Sequence, residues 1–257
     1  MNTTRRCFLK NAAGLTLLGV TGGSRLLAAA LERSSYEASP KQLQGKRWAM
    51  LVDMRKCTAE GDCKLCLEAC HGVHNVPEMG SPKEEIKWIW KEPCEHVFPE
   101  MVSPSMTEAL RKRPTIVLCN HCDNPSCVRV CPTQATWKRP DGIVMMDMHR
   151  CIGCRYCIVA CPYGSRSFNF RDPRPHIKKI NESYPTRMRG VVEKCNFCEE
   201  RLADGLLPAC VEACKAKALQ FGDLADRSSQ VFSLVSATYQ LRRRTNLGTE
   251  PQVYYLL

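Results

Sequence analysis

Cysteine is the residue type with the clearest chemical pattern in this chain. Sixteen of its eighteen cysteines fall into four groups with short gaps. In chain order, the groups are Cys57, Cys63, Cys66 and Cys70; Cys119, Cys122, Cys127 and Cys131; Cys151, Cys154, Cys157 and Cys161; and Cys195, Cys198, Cys210 and Cys214. The third group has the spacing Cys-x2-Cys-x2-Cys-x3-Cys-Pro, which is typical of chains that hold two [4Fe–4S] clusters. Sixteen thiolates supply four ligands to each of four such clusters, so the sequence predicts four [4Fe–4S] sites.

The same pattern predicts which cysteines share a site. The first three cysteines of a group bind one cluster, and the fourth binds the neighbouring cluster. We therefore expect four sets of iron ligands: set A, Cys57, Cys63, Cys66 and Cys214; set B, Cys195, Cys198, Cys210 and Cys70; set C, Cys119, Cys122, Cys127 and Cys161; and set D, Cys151, Cys154, Cys157 and Cys131. Sets C and D then form a central unit that is inserted within the outer unit of sets A and B.

Two other uses of cysteine stay open from the residues alone. Cys-x2-Cys pairs also build structural zinc sites, at one position or at all of them. The run in the third group favours iron, because it holds more closely spaced ligands than one tetrahedral ion uses. A disulfide scaffold is the other alternative, but cysteines two residues apart rarely suit disulfide geometry.

Other residue types give weaker signals. No Ser-His-Asp arrangement, nucleotide-binding loop or paired carboxylate site is visible, so no catalytic residue is predicted. Four histidines near the cysteine groups could tune a cluster or simply pack: His71, His74, His96 and His121. Trp88 and Trp90 alternate as in a strand, which fits either core packing or a partner interface. Cys94 is interpreted as a spare thiol.

The N-terminus has the features of a targeting segment. It reads Thr4-Arg5-Arg6-Cys7-Phe8-Leu9-Lys10, followed by a short apolar stretch and the small residues Ala28-Ala29-Ala30. This resembles a twin-arginine signal with a cleavage site. That route exports folded proteins, which suits clusters assembled in the cytoplasm, and Cys7 would leave with the signal. The apolar stretch is short for a membrane span, although an uncleaved anchor stays open.

The formal charge of +11 suggests nucleic acid or an anionic membrane surface at first sight. Residues 1–30 carry four basic residues and no acidic one, so their removal leaves +7. Four clusters with their thiolates contribute about −2 each, which brings the total close to −1. We therefore expect no nucleic-acid binding and interpret the basic residues as counter-charges to buried anions.

The elements expected to position the cysteines form an internal repeat. An apolar strand at 48–52 leads into Asp-Met-Arg-Lys-Cys57, and one at 143–146 leads into Asp-Met-His-Arg-Cys151. Looser copies precede Cys119 and Cys195. Asp141-Gly142 before alternating apolar residues predicts a hairpin. Such repetition indicates duplicated ferredoxin-like units.

The predicted fold class is α+β: two nested bacterial-ferredoxin-like units, rich in loops and stabilised by their clusters. The predicted segments are a signal at 1–30, the first cysteine group with an insertion at 46–118, the central two-cluster unit at 119–170, a connector with the fourth group completing the outer unit at 171–226, and a C-terminal tail at 227–257.

The sixteen cysteines in this order resemble those of the four-cluster ferredoxin-like subunits of complex iron–sulfur oxidoreductases, the DMSO reductase or NrfC type. The resemblance covers roughly residues 46–225. It implies a non-catalytic subunit that carries four [4Fe–4S] clusters with the cross-ligation described above. It also implies electron relay between a catalytic or haem-bearing partner and a quinone-linked membrane subunit.

Further features are similar to the periplasmic ferredoxin-like subunits of DsrMKJOP complexes. These features are the twin-arginine signal and the sequences of residues 70–77, 85–91 and 247–256. This likeness implies a multihaem cytochrome and an NrfD-like integral membrane subunit as partners, sulfur metabolism as the setting, and a periplasmic location at the membrane through the complex. The alternatives are the same relay in a molybdopterin reductase or a hydrogenase, and a zinc-bound interaction module.

Overall fold

The computed structural model describes residues 39–59 and 62–257. The predicted signal at 1–30, including Cys7, lies outside these ranges. Lys41–Leu257 form one compact unit. Its strands are β1 (Trp48–Asp53), β2 (Ile89–Pro93), β3 (Pro114–Leu118), β4 (Thr136–Lys138), β5 (Val144–Met146), β6 (Ser167–Phe168), β7 (Val192–Glu193), β8 (Leu219–Asp223), β9 (Gln240–Leu241) and β10 (Val253–Leu256). Mixed short helices and small sheets fit the predicted α+β class.

The helices are short and most of them carry or border a cysteine group. They are α1 (Met54–Ala59), α2 (Leu65–Val73), α3 (Cys94–Val97), α4 (Glu108–Arg111), α5 (Ser126–Arg129), α6 (Tyr156–Val159), α7 (Glu199–Ala203), α8 (Ala209–Glu212) and α9 (Gln230–Ala237). Single 3₁₀ turns lie at Pro82–Glu84, Pro99–Met101, Arg174–His176 and Thr245–Leu247. In the described part of the chain, no helix is long and apolar enough to cross a membrane.

A four-stranded sheet joins the two ends of the described chain, in the order β8-β1-β10-β9. Strand β1 pairs antiparallel with β8, with Met50 opposite Phe221. On its other side β1 pairs in parallel with β10, with Met50 opposite Val253. The segment predicted as a tail at 227–257 therefore supplies an internal strand of this sheet.

Both faces of β1 are covered, which explains its uninterrupted apolar sequence. Met50 and Val52 point into the main core, whereas Ala49 and Leu51 pack on the opposite face against Val231 of α9. This alternation follows from the two-residue period of a strand. The predicted strand at 48–52 is confirmed.

Three two-stranded sheets lie between the cysteine groups. Strands β2 and β3 pair antiparallel, as do β4 with β5 and β6 with β7. The β4–β5 pair is the hairpin predicted from Asp141-Gly142, with Gly142 at a φ of 90° in the turn. Trp88 and Trp90, beside and within β2, are both buried, so they pack in the core.

A buried polar network holds the connector against the insertion. Arg187 donates from Nε to Glu193 Oε2 at 2.7 Å, and Trp88 Nε1 donates to the same oxygen at 2.8 Å. The guanidinium of Arg187 also lies over the Trp88 ring, 5.3 Å from its centroid, and donates to the carbonyl of Asn75 at 2.9 Å. One arginine thus joins the segment 187–193 to two earlier segments of the chain, around Asn75 and Trp88.

Loss of Arg187 tests how much this network contributes to stability. The substitution Arg187→Met leaves the Glu193 carboxylate buried without its cation, which costs about 3–5 kcal/mol. The control Lys112→Met breaks an exposed pair with Glu108, worth about 0–1 kcal/mol. We expect the anaerobic unfolding temperature, followed by circular dichroism at one scan rate, to fall clearly more for Arg187→Met. Equal decreases would contradict this role.

Candidate iron–sulfur sites

The thiols of set A come together from both ends of the unit. Cys57 lies on α1, Cys66 on α2, and Cys214 follows α8. Burial raises the pKa of Cys66 to about 12, and the nearby thiols of Cys57, Cys214 and Cys63 add to this increase. The backbone N–H of Ala218 donates to Cys214 Sγ at 3.3 Å. The structure therefore brings all four cysteines of set A together.

Set B is the most deeply buried of the four sets. All four of its cysteines are buried: Cys70, Cys195, Cys198 and Cys210. Burial raises the pKa of the Cys70 thiol well above its ordinary value, and the thiols of the other three cysteines raise it further. The N–H of Phe197 points at Cys195 Sγ, 3.5 Å away. The structure therefore brings the four thiols of set B together.

Set C forms beside the end of β3. Burial raises the pKa of Cys122 strongly. The nearby thiols of Cys119, Cys127 and Cys161 raise it further. Cys161 comes from the third group, so the fourth cysteine of that group does lie with the first three of the second group. Beside these thiols, both side-chain polar atoms of Asn120 are buried without a hydrogen-bond partner.

Set D differs from the others in its exposure. Cys154 is exposed, and Cys131 is partly so. Burial raises the pKa of Cys157 against the opposing effect of Arg166, and the thiols of Cys127 and Cys151 add smaller increases. At Cys131, burial acts to raise the pKa, but hydrogen bonds led by the N–H of Thr136 give a net decrease. The contacts thus bring Cys151 and Cys157 together, while the membership of Cys131 and Cys154 follows from the sequence pattern.

The four sets adjoin in a single order. Sets A and B meet where Cys66 contributes to the raised pKa of Cys70. Sets B and C meet at Cys119 and Cys195, because the thiol of Cys119 raises the pKa of Cys195 after the larger effect of burial. Sets C and D meet at Cys127 and Cys157. The order A-B-C-D places the buried outer set B next to the central set C.

The loops of the second, third and fourth cysteine groups contain residues with left-handed backbone conformation. Positive φ occurs at His121 in the second group, at Gly153 and Arg155 in the third, and at Phe197 and Cys198 in the fourth. Alternation of right- and left-handed residues turns successive N–H groups inward, and such concavities bind anions and iron–sulfur centres. At Gly153 the φ is 71° and a Cβ would lie 2.4 Å from the carbonyl oxygen of Gly190, so glycine is required there.

Two histidines are part of the loops' packing. His121 stacks on Phe197 with ring centroids 3.6 Å apart, which joins a loop of set C to a loop of set B. Its Nδ1 accepts from the N–H of Val144 at 3.1 Å. His74 is held between the carbonyl of Cys70, 2.9 Å from Nδ1, and Glu200, 2.8 Å from Nε2. His96, by contrast, has an exposed side chain.

His74, Cys198 and Glu200 also place one ligand atom each within 4.8 Å of one another. A zinc ion could use such a mixed group. The histidine is already engaged on both ring nitrogens, and the thiol of Cys198 lies near those of Cys70, Cys195 and Cys210. This arrangement supports a positioning role for His74 beside a four-thiol site.

Two buried cations beside the thiols were not identified from the sequence. Burial alone would lower the pKa of Arg166, but the thiols of Cys127 and Cys157 produce a net increase. Lys194 is also buried, and burial lowers its pKa against the opposing effect of Cys119. Lys194 directly precedes a ligand cysteine, which is a usable signal; the position of Arg166 depends on the fold.

The residues present fit [4Fe–4S] clusters. Sets A, B and C each gather four thiols, while N–H groups and buried cations face the sulfurs. None of the seventeen cysteines in the described ranges forms a disulfide, which does not favour a disulfide scaffold. Cys94 lies apart from the four sets. Burial raises the pKa of its thiol, and the neighbours that lower this pKa are Arg113 and Thr115.

Comparisons with known proteins agree with this chemistry. Residues 114–224 match the 4Fe-4S dicluster domain family. The Hdr-like menaquinol oxidoreductase iron-sulfur subunit 1 of Archaeoglobus fulgidus is 40% identical over 94% of this chain and 95% of its own length. A tetrathionate reductase subunit of Salmonella typhimurium is 34% identical over 100% and 89%, respectively. Protein NrfC of Escherichia coli is 34% identical over 99% and 95%. The chain belongs to the family of [4Fe–4S] electron-transfer subunits of complex iron–sulfur oxidoreductases, which are not catalytic themselves.

Proposed function

We propose that this chain is a periplasmic electron-transfer subunit that holds four [4Fe–4S] clusters, one in each of sets A to D. The observation that carries the proposal is the contiguous order of the four thiol sets, each within electrostatic reach of the next. Bound [4Fe–4S] clusters supply one-electron carriers. The protein contributes thiolates, inward N–H groups and, around set B, a fully buried environment.

Two nested ferredoxin-like units are the proposed architecture. The β4–β5 hairpin lies between the second and third groups, within the central unit of sets C and D. Strands β1 and β8, which flank the first and fourth groups, pair across the outer unit of sets A and B. The proposed segments are those of the sequence: 46–118, 119–170, 171–226 and 227–257, with the last one contributing β10.

The proposed partners are a haem-bearing or other redox subunit and an NrfD-like, quinone-interacting membrane subunit. Two relatives are named as subunits of a menaquinol oxidoreductase and of a menaquinone reductase, and these names support a quinone-linked complex. The sequence features of 70–77 and 247–256 favour a DsrMKJOP complex of sulfur metabolism. The likeness to a tetrathionate reductase subunit supports the alternative, the same relay in a molybdopterin reductase. A molybdopterin subunit encoded beside this chain would favour that alternative.

Set D, which lies at the end of the order A-B-C-D and contains the exposed Cys154, is the proposed contact with the membrane subunit. Beside the exposed Cys154, the side chains of Ile152, Tyr156 and Val159 are 67%, 65% and 88% exposed. An apolar cluster of this kind is typical of an interaction surface. Electrons would then enter or leave the chain through set D.

Loss of one ligand tests the assignment of the sets. In Cys122→Ser, set C lacks one thiolate, so iron should fall by roughly one to four atoms per chain. The control Cys94→Ser removes a buried thiol outside the four sets and should leave iron unchanged. Iron analysis and EPR of the reduced, anaerobically purified protein measure both. An equal loss of iron in the two variants would refute the assignment.

A charge in the apolar cluster tests the contact surface. Because Val159 is the most exposed of these residues, Val159→Glu should weaken binding to a co-expressed NrfD-like subunit from the same genome. Tyr239→Glu is the control, since Tyr239 is a 73% exposed aromatic residue outside the cluster. The fraction of chain that co-purifies with the tagged membrane subunit is measured. The surface is misassigned if both variants co-purify equally.

The export route is tested at the paired arginines. Replacing Arg5 and Arg6 together by lysine keeps the charge but removes the twin-arginine pattern. We expect the protein to accumulate in the cytoplasm with its clusters assembled, as measured by fractionation and iron content. Unchanged periplasmic amounts would argue against this route.

A further inference from the structure

Two cations are buried beside the thiols of set C. Arg166 is 4% exposed and Lys194 is 2% exposed. Within residues 39–59 and 62–257, neither forms an ion pair with a carboxylate. A buried charge without a counter-charge is costly, so the negative charge that these cations face must come from the thiol sets.

Arg166 lies at the junction of sets C and D. Its Nη2 donates to Cys127 Sγ at 3.1 Å and to Thr136 Oγ1 at 2.8 Å. Its other terminal nitrogen points at the sulfur of Met146, 3.7 Å away. The guanidinium is therefore fixed on three sides, with a direct N–H···S bond to Cys127 of set C. It also hydrogen-bonds to Cys157 of set D.

Lys194 lies at the junction of sets B and C. Its Nζ donates to the carbonyl oxygens of Cys195, at 2.7 Å, and of Val144. Its charge acts on the thiols of Cys119 and Cys195, one from each set. Both hydrogen-bond partners of the Lys194 side chain are neutral carbonyl oxygens, so the negative charge nearest to it is that of the thiols.

Set B has a different electrostatic environment. The Glu200 carboxylate lies near it and, after the effect of burial, contributes to the raised pKa values of Cys195 and Cys198. Set B therefore shares the charge of Lys194 but also faces an acid. Set C faces two buried cations, and interactions in such an interior are weakly screened.

We propose that Arg166 and Lys194 raise the reduction potential at set C, so that set C accepts an electron before set B. The inference rests on the proposed function, because it needs a [4Fe–4S] cluster in each set. Reduction adds one negative charge, and net charge and hydrogen bonds to the sulfurs set the potential of such clusters. Cations fixed beside set C favour the more negative, reduced state. Transfer from set B to set C is then downhill.

The test is a potentiometric EPR titration of the full-length holoprotein with dithionite as the electron donor. Signals are assigned to sets C and B through Cys122→Ser and Cys198→Ser. In the wild type, the set C signal should appear at a higher potential than that of set B. In Arg166→Gln, the ratio of reduced to oxidised set C at the wild-type midpoint should fall at least about tenfold, which corresponds to ~59 mV.

Two controls separate the charge from packing. Arg166→Lys keeps the cation and should retain most of the potential. Arg129→Gln removes an exposed arginine two residues from Cys127, and water should screen its loss. Lys194→Met provides a second neutral variant, which tests the proposal even if Arg166→Gln fails to assemble set C.

The outcomes distinguish this inference from the proposed function. The inference is overturned if set B is reduced first, or if Arg166→Gln and Lys194→Met lower the potential no more than Arg129→Gln. Iron and sulfide are measured on every sample. A wild type without clusters would overturn the proposed function itself, whereas a full set of clusters with unchanged potentials overturns only the inference.

Discussion

Repulsion between thiolates held close together in a protein interior is the constraint on which this structure depends. In set B four thiols are buried together, and after the larger effect of burial the neighbouring thiols raise the pKa values of Cys70 and Cys210. They can be deprotonated together only if positive charge binds them, because buried like charges cannot be tolerated unpaired. Iron–sulfur clusters supply that charge. The inward N–H groups and the buried cations Arg166 and Lys194 compensate what remains.

The fold brings distant cysteines together through long-range strand pairing. Strand β1 delivers the first cysteine group, and its neighbour β8 follows the fourth group, so their pairing draws Cys57 and Cys214 to one place. Strand β10 pairs on the other side of β1 and fixes the C-terminus in the same sheet. The clusters and the sheet therefore depend on each other: metal binding to sets drawn from both chain ends also stabilises folding.

Local signals in the sequence predict the local elements of the fold. The strand before Cys57 and the hairpin at Asp141-Gly142 follow from short-range patterns and are confirmed. The parallel pairing of β10 with β1 was not predicted. The two strands are about two hundred residues apart, and the residue pattern of a strand does not identify so distant a partner. Arg166 was missed for the same reason: only the fold places it against Cys127. The spacing rule predicts four ligand sets, and the structure gathers the thiols of sets A, B and C. Their shared ligation of clusters stays a prediction.

The central claim is that the thiol sets hold iron–sulfur clusters that form one electron-transfer series. The most direct measurement is the content of iron, acid-labile sulfide and zinc in the anaerobically purified full-length chain. The account predicts about sixteen iron and about sixteen sulfide per chain, four of each for every set, with no zinc. A chain that contains about four zinc ions and no sulfide would contradict it.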